Sequence, residues 1–311
     1  MEALRAKPTS LRSYFEQHGY VLVERLLPAP LLDVVLQRYA ADIVPSRKKF
    51  YRQNTSRYER NIKNPHGFVR QSFLDVHNYR KKPAFRDAVM RVYFSEPMLS
   101  ALREITGARD VRLMQSMLFD LNTATAPHQD CWYLDSVPSG RLLAAWIALE
   151  DIDERAGRFF VLPDSCDAEL HAEGMPHSEW LRRLRVHVDA HSAEVYSPAL
   201  RKGDVLFWSS RAIHGALPTQ DERFSRKSLT AHYLPEGEVF GNIWKRKDFV
   251  KFDTWQGHEH FANQPEYSVV SDLVSRGKRL LYNHPKLMQL ARRFQSRALS
   301  ELGRSRRPGG S

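Results

Sequence analysis

Five short segments in the middle of the chain decide its fold class. They read VRLMQSMLFDL (111–121), RLLAAWIALEDI (141–152), GRFFVLP (157–163), DVLFWSS (204–210) and KSLTAHYLP (227–235). Each is rich in β-branched and aromatic residues and is separated from the next by turn signals, which is typical of β-strands. Because strands at this spacing follow one another without helices between them, they predict an antiparallel sandwich or barrel rather than a parallel α/β sheet.

The residues on either side of these strands are expected to be mainly helical. A strand is predicted at YVLVERLL (20–27), and capping signals and apolar periodicity predict helices at SLRSYFEQHG (10–19), PAPLLDVVLQRYAADI (28–43), PAFRDAVMRVYF (83–94) and SEPMLSALREITG (95–107). A partly helical insertion is expected over 176–196, and a further helix over about 268–300, broken near Pro285.

We expect a single domain over residues 1–311, since a chain of this length can bury a substantial core without disulfides or a structural metal. Residues 1–109 would form a mainly helical flank with a basic loop. Residues 110–235 would form the β core, and residues 236–311 a C-terminal helical extension.

Composition and charge narrow the function classes. The net charge is +11, from 47 Lys and Arg against 36 Asp and Glu. No apolar run approaches the roughly 18–20 residues that span a bilayer, and the charged amino terminus lacks the apolar stretch of a secretory signal. Two cysteines, Cys131 and Cys166, are too few for a disulfide framework or a thiolate metal site. We therefore expect a cytoplasmic protein without a transmembrane segment.

Two stretches hold much of the positive charge, and a solvated surface is the simpler interpretation of both. Residues 47–70, RKKFYRQNTSRYERNIKNPHGFVR, have no clean period and predict a long loop. A loop of this length is usually functional or disordered, so we hypothesise a lid that favours a substrate bearing carboxylate, phosphate or an acidic carrier. The tail after Pro285 would be a closing helix, with its arginines on an anionic membrane as the alternative.

A pair of residues at His128 and Asp130 has the spacing of a metal site. On a strand, residues two apart point to the same face, and two such ligands plus one distant histidine form the facial triad that leaves positions open on an octahedral iron. The spacing alone is weak, because His187-Val188-Asp189 and His258-Glu259-His260 offer similar patterns. Context favours His128, which sits between two predicted strands, whereas His187 follows the helix-like run EWLRRLRV.

The order of motifs around this pair resembles the phytanoyl-CoA dioxygenase family. PHQD (127–130) is followed by a tryptophan in AAWIALEDI (144–152), G-x-x-x-V-L-P-x-S from Gly157, KGDVLFW (202–208), a His-Gly at 214–215 and R-K-x-L-x-x-H from Arg226. The resemblance covers roughly residues 110–235. It implies a double-stranded β-helix (a jelly roll) with flanking N- and C-terminal helices, and an enzyme that uses Fe(II), 2-oxoglutarate and O2 to hydroxylate or otherwise oxidise a C–H bond.

The same resemblance assigns residues to roles. It implies that His128, Asp130 and His214 are the iron ligands and that Arg226 pairs with the distal carboxylate of 2-oxoglutarate, for which a planar, always charged guanidinium is suited. It places Gln115 and Trp146 at the cosubstrate pocket. Ala216 stands where some relatives carry serine, so Ser228 and Thr230 are possible substitutes. Arg223 is the rival of Arg226, and Cys131, Trp132 and Tyr133 are candidates for the substrate pocket.

Two other function classes stay open at this point. A jelly roll can hold another metal and catalyse a different reaction, such as hydrolysis or isomerisation. A basic, non-enzymatic binding module is the second alternative, although no nucleic-acid recognition motif is present and nucleic acid is not expected as a partner. The expected partner is a small-molecule substrate, with an anionic or carrier-bound one favoured by the basic loop.

Overall fold

A computed structural model describes residues 10–247, 250–262 and 266–283. The helices are α1 (Leu11–His18), α2 (Ala29–Arg38), α3 (Pro83–Tyr93), α4 (Glu96–Thr106), α5 (His177–Ala190) and α6 (Val269–Asn283). The strands are β1 (Tyr20–Val23), β2 (Phe50–Arg52), β3 (Arg57–Glu59), β4 (Phe73–Leu74), β5 (Val111–Phe119), β6 (Asp135–Val137), β7 (Leu143–Ala148), β8 (Phe159–Val161), β9 (Val205–Ser209), β10 (His214–Ala216), β11 (Ser228–Pro235), β12 (Val239–Asn242), β13 (Lys245–Arg246), β14 (Phe252–Trp255) and β15 (His258–Phe261).

An 8-stranded sheet forms the centre of the fold, in the order β1-β9-β7-β11-β5-β15-β14, with β4 also paired to β5. Four of the five central segments that predicted the fold class form β5, β7, β9 and β11. They lie together in this sheet and pair antiparallel. The fifth, β8, pairs with β10, and a bridge between His128 and His214 extends that second layer. This mainly β core with flanking helices is a jelly roll, as predicted. The sheet is mixed because β15 joins β5 in parallel.

Alternation along the strands gives the sheet two buried faces. On β9, Phe207 belongs to the apolar cluster that contains Leu32 of α2 and Val89 of α3. Its neighbours Leu206 and Trp208 point the other way, into a cluster that contains Trp146. Successive strand side chains face opposite sides, so one face packs against the helical flank and the other closes around the interior of the jelly roll.

The first helix illustrates how local sequence fixes an element boundary. Ser10 is its N-cap and accepts a hydrogen bond from the Ser13 backbone N–H at 3.3 Å. Gly19 ends it with φ 76°, and its N–H donates to the Phe15 carbonyl at 2.8 Å. A side chain would be strained in this left-handed conformation, and a Cβ there would lie 2.4 Å from Cys166 Sγ. The predicted stop at Gly19 is confirmed, as is that of α4 at Gly107.

The prediction of an unstructured loop over residues 47–70 is wrong in part, because the segment contains the hairpin β2–β3. The strands have 3 residues each, too few to show a period in the sequence. Arg52 of this basic segment, whose cations were hypothesised to favour an anionic substrate, is fully buried. Its guanidinium donates to Asn61 Oδ1 at 2.6 Å and lies 4.2 Å from the Phe73 ring centroid, so it supports the hairpin from inside.

The expected C-terminal helical extension is also wrong in part. Residues 236–261 contain β12 to β15, and His260 of β15 pairs with Leu113 at the edge of the central sheet. Four-residue strands such as FDTW and HEHF carry polar residues on both faces, which hides them from pattern analysis. Helix α6 agrees with the helix expected from about 268, whereas the break near Pro285 and the tail arginines lie outside the described residues. No helix in the described ranges is long and apolar enough to span a bilayer.

Candidate metal centre

His128 and Asp130 converge, but not on a regular strand as predicted. His128 forms an isolated antiparallel bridge to His214, with hydrogen bonds of 2.9 and 3.0 Å between their backbones. Asp130 begins a short 3₁₀ turn. Gln129 between them is extended, with φ −113° and ψ 131°, so the two side chains still project to one side. The backbone bridge places the distant histidine directly beside the pair.

The three side chains present one ligand atom each to a common point. Asp130 Oδ1 lies 3.5 Å from His128 Nε2 and 3.6 Å from His214 Nε2, and the ligand atoms of all three lie within 4.8 Å of one another. Ligands about 2.1 Å from an ion and at right angles are about 3 Å apart. The residues therefore fit an octahedrally coordinated metal after small adjustments, and they occupy one face of it.

Backbone carbonyls orient both imidazoles. His128 Nδ1 lies 2.9 Å from the Ala126 carbonyl oxygen, and His214 Nδ1 lies 3.0 Å from that of Ala212. A carbonyl can only accept, so each Nδ1 carries the proton and each Nε2 lone pair faces Asp130. This outer hydrogen bond fixes the tautomer that a metal ligand requires.

The two oxygens of Asp130 have different partners. Oδ2 accepts hydrogen bonds from Trp208 Nε1 at 2.9 Å and from His232 Nε2 at 3.2 Å, which leaves Oδ1 for a metal. Burial raises the pKa of this carboxyl, but hydrogen bonds from its neighbours, among them that of His232, hold it well below its usual value. Burial lowers the pKa of His214 to about 3. A carboxylate and a neutral imidazole are the protonation states that bind metal.

Arg226 lies in the cavity that the triad opens into. It is 2% exposed, and its Nη1 donates to the Gly157 carbonyl at 3.1 Å. In the part of the chain that the structure describes, no carboxylate forms an ion pair with it and its Nε has no hydrogen-bond partner. Burial lowers the pKa of Arg226 to about 10, so it stays cationic. A buried cation without a counter-charge is costly, and a bound carboxylate would relieve that cost.

The other residues predicted for the cosubstrate pocket lie at different depths. Trp146 lines the cavity, with its ring 5.9 Å from the Arg226 guanidinium. Gln115 is half-buried on the same side of β5 as the cavity residues Met117 and Phe119. It lies two residues before Met117 and does not line the cavity. The Ser228 hydroxyl is fully buried and donates to the Arg226 carbonyl.

Ser228 and Thr230 were the expected substitutes for the serine that some relatives carry at the position of Ala216. Thr230 and Ala216 both line the cavity. The Thr230 hydroxyl is buried, and the described residues offer it no hydrogen-bond partner. Thr230 is therefore better placed than Ser228 to contact a bound cosubstrate.

His232 had no predicted role, although it ends the R-K-x-L-x-x-H run from Arg226. The signal was available, because alternation along β11 places Thr230 and His232 on one face of the strand. His232 is buried beside Asp130 and lines the cavity. It is the side chain that, with Trp208, holds Asp130 in place.

The three candidates for the substrate pocket, Cys131, Trp132 and Tyr133, differ in their surroundings. Tyr133 is 41% exposed, its ring lies 6.0 Å from that of His128, and its hydroxyl lies 2.6 Å from His177 Nε2 of α5. Trp132 stacks on Trp180 of α5 at 4.4 Å between ring centroids. Cys131 is buried, and burial raises the pKa of its thiol. Tyr133 is the one of the three that faces the metal ligands and solvent together.

The chain is similar in sequence to known phytanoyl-CoA dioxygenases. The family profile of phytanoyl-CoA dioxygenase (PhyH) matches residues 15–228. Human peroxisomal phytanoyl-CoA dioxygenase is 23% identical over 237 residues, which cover 71% of this chain and 67% of that enzyme. The bovine enzyme is 31% identical over 110 residues, 34% of this chain and 32% of its own length, so the match spans about a third of it.

Two solved structures share the fold. The epimerase SnoN, in complex with Fe3+, alpha ketoglutarate and nogalamycin RO, has a TM-score of 0.54 at 17% identity, covering 81% of this chain and 96% of SnoN. EctD from S. alaskensis, with 2-oxoglutarate and 5-hydroxyectoine, has a TM-score of 0.53 at 17% identity, covering 77% of this chain and 82% of EctD.

The family match and the His128–Asp130–His214 triad define the class of this protein: it is a non-haem iron- and 2-oxoglutarate-dependent oxygenase. Within that class, the chain belongs to the phytanoyl-CoA dioxygenase family.

Proposed function

We propose that this oxygenase oxidises an unactivated C–H bond of a small metabolite, with hydroxylation as the primary outcome and succinate and CO2 as the co-products. The observation that carries the proposal is the buried cation of Arg226 beside a metal triad that leaves one face open. A dicarboxylate that chelated the metal at one end would bring its other carboxylate to this guanidinium. Asp130 fills the carboxylate position of the triad, a position that halogenating relatives leave open for chloride, and so favours oxygenation.

The residues of the chain have three tasks in this reaction. The triad would hold iron, which with 2-oxoglutarate and O2 supplies the oxidising chemistry when bound. Arg226 would orient the cosubstrate through a bidentate, charge-assisted pair. The aromatic wall of Trp146, Phe159 and Trp208 lines the cavity and would exclude water while the target C–H bond is held in place.

The substrate class proposed is an anionic or carrier-linked small molecule, handled in the cytoplasm. Gln53, in the basic segment 47–70, lines the metal cavity, which supports the lid hypothesis. Exposed cations on the same segment, such as Arg57, Arg60 and Lys63, would favour an anion at the mouth. The neighbouring Tyr133 and His177 would contact the substrate from the α5 side.

Measurement of 2-oxoglutarate turnover tests the proposed role of Arg226. In the iron-loaded protein, Arg226→Met should raise the KM for 2-oxoglutarate by about 100-fold, since a charge-assisted hydrogen bond contributes about 1.5–3 kcal/mol, while Arg226→Lys should fall between. The matched control is Arg223→Met. Arg223 lies in an exposed turn and pairs with Asp221 at 2.7 Å, so its loss should leave the KM unchanged.

Two outcomes would count against the proposal. An unchanged KM in Arg226→Met with normal iron content would show that another group holds the cosubstrate. Absence of succinate formation by the iron-loaded wild-type protein, across a panel of anionic metabolites and in their absence, would favour the alternative of a jelly-roll enzyme with a different reaction.

A further inference from the structure

A second cavity, of about 320 Å3, lies against the hairpin β2–β3 and shares no lining residue with the metal cavity. Its walls come from three separated segments: residues 48–58, residues 74–82 and residues 266–267. A concave site assembled from distant parts of a chain is the usual form of a small-molecule site.

The rim of this cavity is strongly cationic. Lys48 and Lys49 of one segment meet Lys81 and Lys82 of another, and Glu266 is the acidic side chain among the lining residues. Glu266 is already engaged, because its carboxylate accepts a hydrogen bond from the Lys81 backbone N–H at 3.0 Å. Lys49 is paired with Asp272, whereas no ion pair is found for Lys48, Lys81 or Lys82 among the described residues, and a bound anion would balance their charge.

Some of these lysines are held over the cavity by neighbouring groups. The Lys49 ammonium lies 5.0 Å from the Tyr267 ring centroid and 3.6 Å from Asp272 Oδ2. The Lys81 ammonium donates to the Tyr267 carbonyl at 3.4 Å. Lys48 is exposed and Lys82 is half-buried, which leaves their side chains able to reach a ligand.

The walls of the cavity are aromatic. Phe50 stacks on Tyr79, with 5.3 Å between ring centroids and 26° between the planes. Tyr58 packs edge-on against Tyr51 at 5.0 Å and against Tyr267 at 5.7 Å. Tyr79 also contributes a buried hydroxyl that has no hydrogen-bond partner among the described residues.

We propose that this cavity binds a planar ring compound that carries a phosphate or carboxylate group. Aromatic walls favour a flat, apolar body, and lysines bind phosphates and carboxylates as mobile point charges. The apolar walls also argue against a bare inorganic anion, which would lose its hydration there without apolar contact in return. The proposal does not depend on the proposed function, because no metal ligand contributes to the cavity.

The hairpin gives this site a structural connection to the metal centre. Phe50 and Tyr51 of β2 line the lysine-rimmed cavity, whereas Gln53, directly after β2, lines the metal cavity. A ligand held by Tyr51 would therefore fix the segment that borders the active site.

Isothermal titration calorimetry of the full chain with 1-naphthyl phosphate tests the proposal. We expect one site, with naphthol alone and inorganic phosphate alone each binding at least tenfold more weakly. The double variant Lys48→Gln/Lys82→Gln should weaken the naphthyl phosphate complex at least tenfold, and Tyr51→Ala should also weaken it. The matched control Arg38→Gln/Arg109→Gln removes two exposed charges that line neither cavity and should bind normally.

A further arm separates this site from the metal centre. His214→Ala should keep the affinity for 1-naphthyl phosphate while it loses iron. No binding at millimolar concentration would overturn the proposal. So would equal loss in the two double variants, which would indicate a general charge effect, or equal affinity for naphthol, which would indicate an apolar pocket without anion selection.

Discussion

Two His-x-Asp sequences in this chain have the same spacing, but only one of them brings its side chains together with a third ligand. His128 and Asp130 flank one extended residue and face a common point with His214. His187 and Asp189 lie on α5, where residues two apart are separated by about 200° around the axis. The His187 ring packs on that of His191 at 4.3 Å, and Asp189 is exposed. The backbone conformation, and not the spacing, decides whether such a pair can hold a metal.

A third pattern, His258-Glu259-His260, shows that an extended backbone alone is not sufficient for a metal site. His258 and His260 both lie on β15, where alternation gives them one face. His258 stacks on Phe94 at 4.7 Å, while His260 approaches Arg86 at 3.1 Å. No third ligand from another strand meets them among the described residues. Convergence of separate strands is therefore the second requirement, and the bridge between His128 and His214 satisfies it.

The largest expected effect comes from breaking the metal site itself. His128→Ala, Asp130→Ala and His214→Ala should each lower iron affinity and turnover by more than about 100-fold, since even the loss of an outer hydrogen-bond partner costs 10–100-fold. Iron content by mass spectrometry and 2-oxoglutarate consumption are the measurements.

The helical pair supplies the matched control. His187→Ala and Asp189→Ala should retain iron and turnover within about twofold, because His187 is half-buried, Asp189 is exposed and neither belongs to the triad. Turnover that survived His214→Ala but not His187→Ala would refute the ligand assignment.

An intermediate effect is expected at the residues that hold Asp130. His232→Gln and Trp208→Phe each disturb one of the two hydrogen bonds to Asp130 Oδ2. Each should weaken iron binding about 10–100-fold, and together they should leave both carboxylate oxygens free to turn. The melting temperature of the metal-free protein distinguishes this positioning role from a packing role. If both variants lost apo stability but kept wild-type iron affinity, the contacts would be structural only.

The sequence predicted the parts of the fold in which a local pattern is repeated over several turns or strands. Helices α1 and α4 end at the predicted glycines, Gly19 and Gly107, because a left-handed cap depends on one residue type. The core strands were recognisable because their residues are buried on both faces. Strands β2 and β15 were missed because they have only 3 and 4 residues, too few to show a period, and β15 carries polar residues on both faces.

The site shows the same division between local and tertiary information. The triad was predicted from the order of motifs along the chain, and the structure brings its three side chains together. The predicted strand geometry at Asp130 was wrong, since a 3₁₀ turn begins there, in which the Tyr133 N–H donates to the Asp130 carbonyl at 2.8 Å. The lysine-rimmed cavity could not be predicted at all, because it joins three segments that are separated by 16 and 184 residues along the chain.

The smallest effect concerns a buried histidine outside the metal centre. His77 is fully buried; its Nε2 donates to the Phe261 carbonyl at 2.9 Å, and its Nδ1 lies 2.6 Å from Ser116 Oγ. Burial lowers the pKa of His77 to about 3. The charged and titratable groups around it are His260 at 5.4 Å between ring centroids, Asp75 at 4.0 Å, and Arg86, which donates to its carbonyl.

Because the pKa of His77 is depressed in the folded chain, His77 is neutral in both the folded and the unfolded chain above about pH 6.5, and it costs no stability there. As the pH falls below that value, the unfolded chain takes up a proton that the folded chain does not. At pH 5 the loss should be about 2 kcal/mol. The measurement is urea unfolding in the presence of a chelator, at pH 7.5 and at pH 5. The free energy of unfolding should differ less between the two pH values in His77→Gln than in the wild type, by about 2 kcal/mol. His66→Gln, at an exposed histidine, should retain the wild-type difference. An unchanged difference in His77→Gln would mean that His77 is protonated in the folded state, and that Asp75 balances its charge despite the burial.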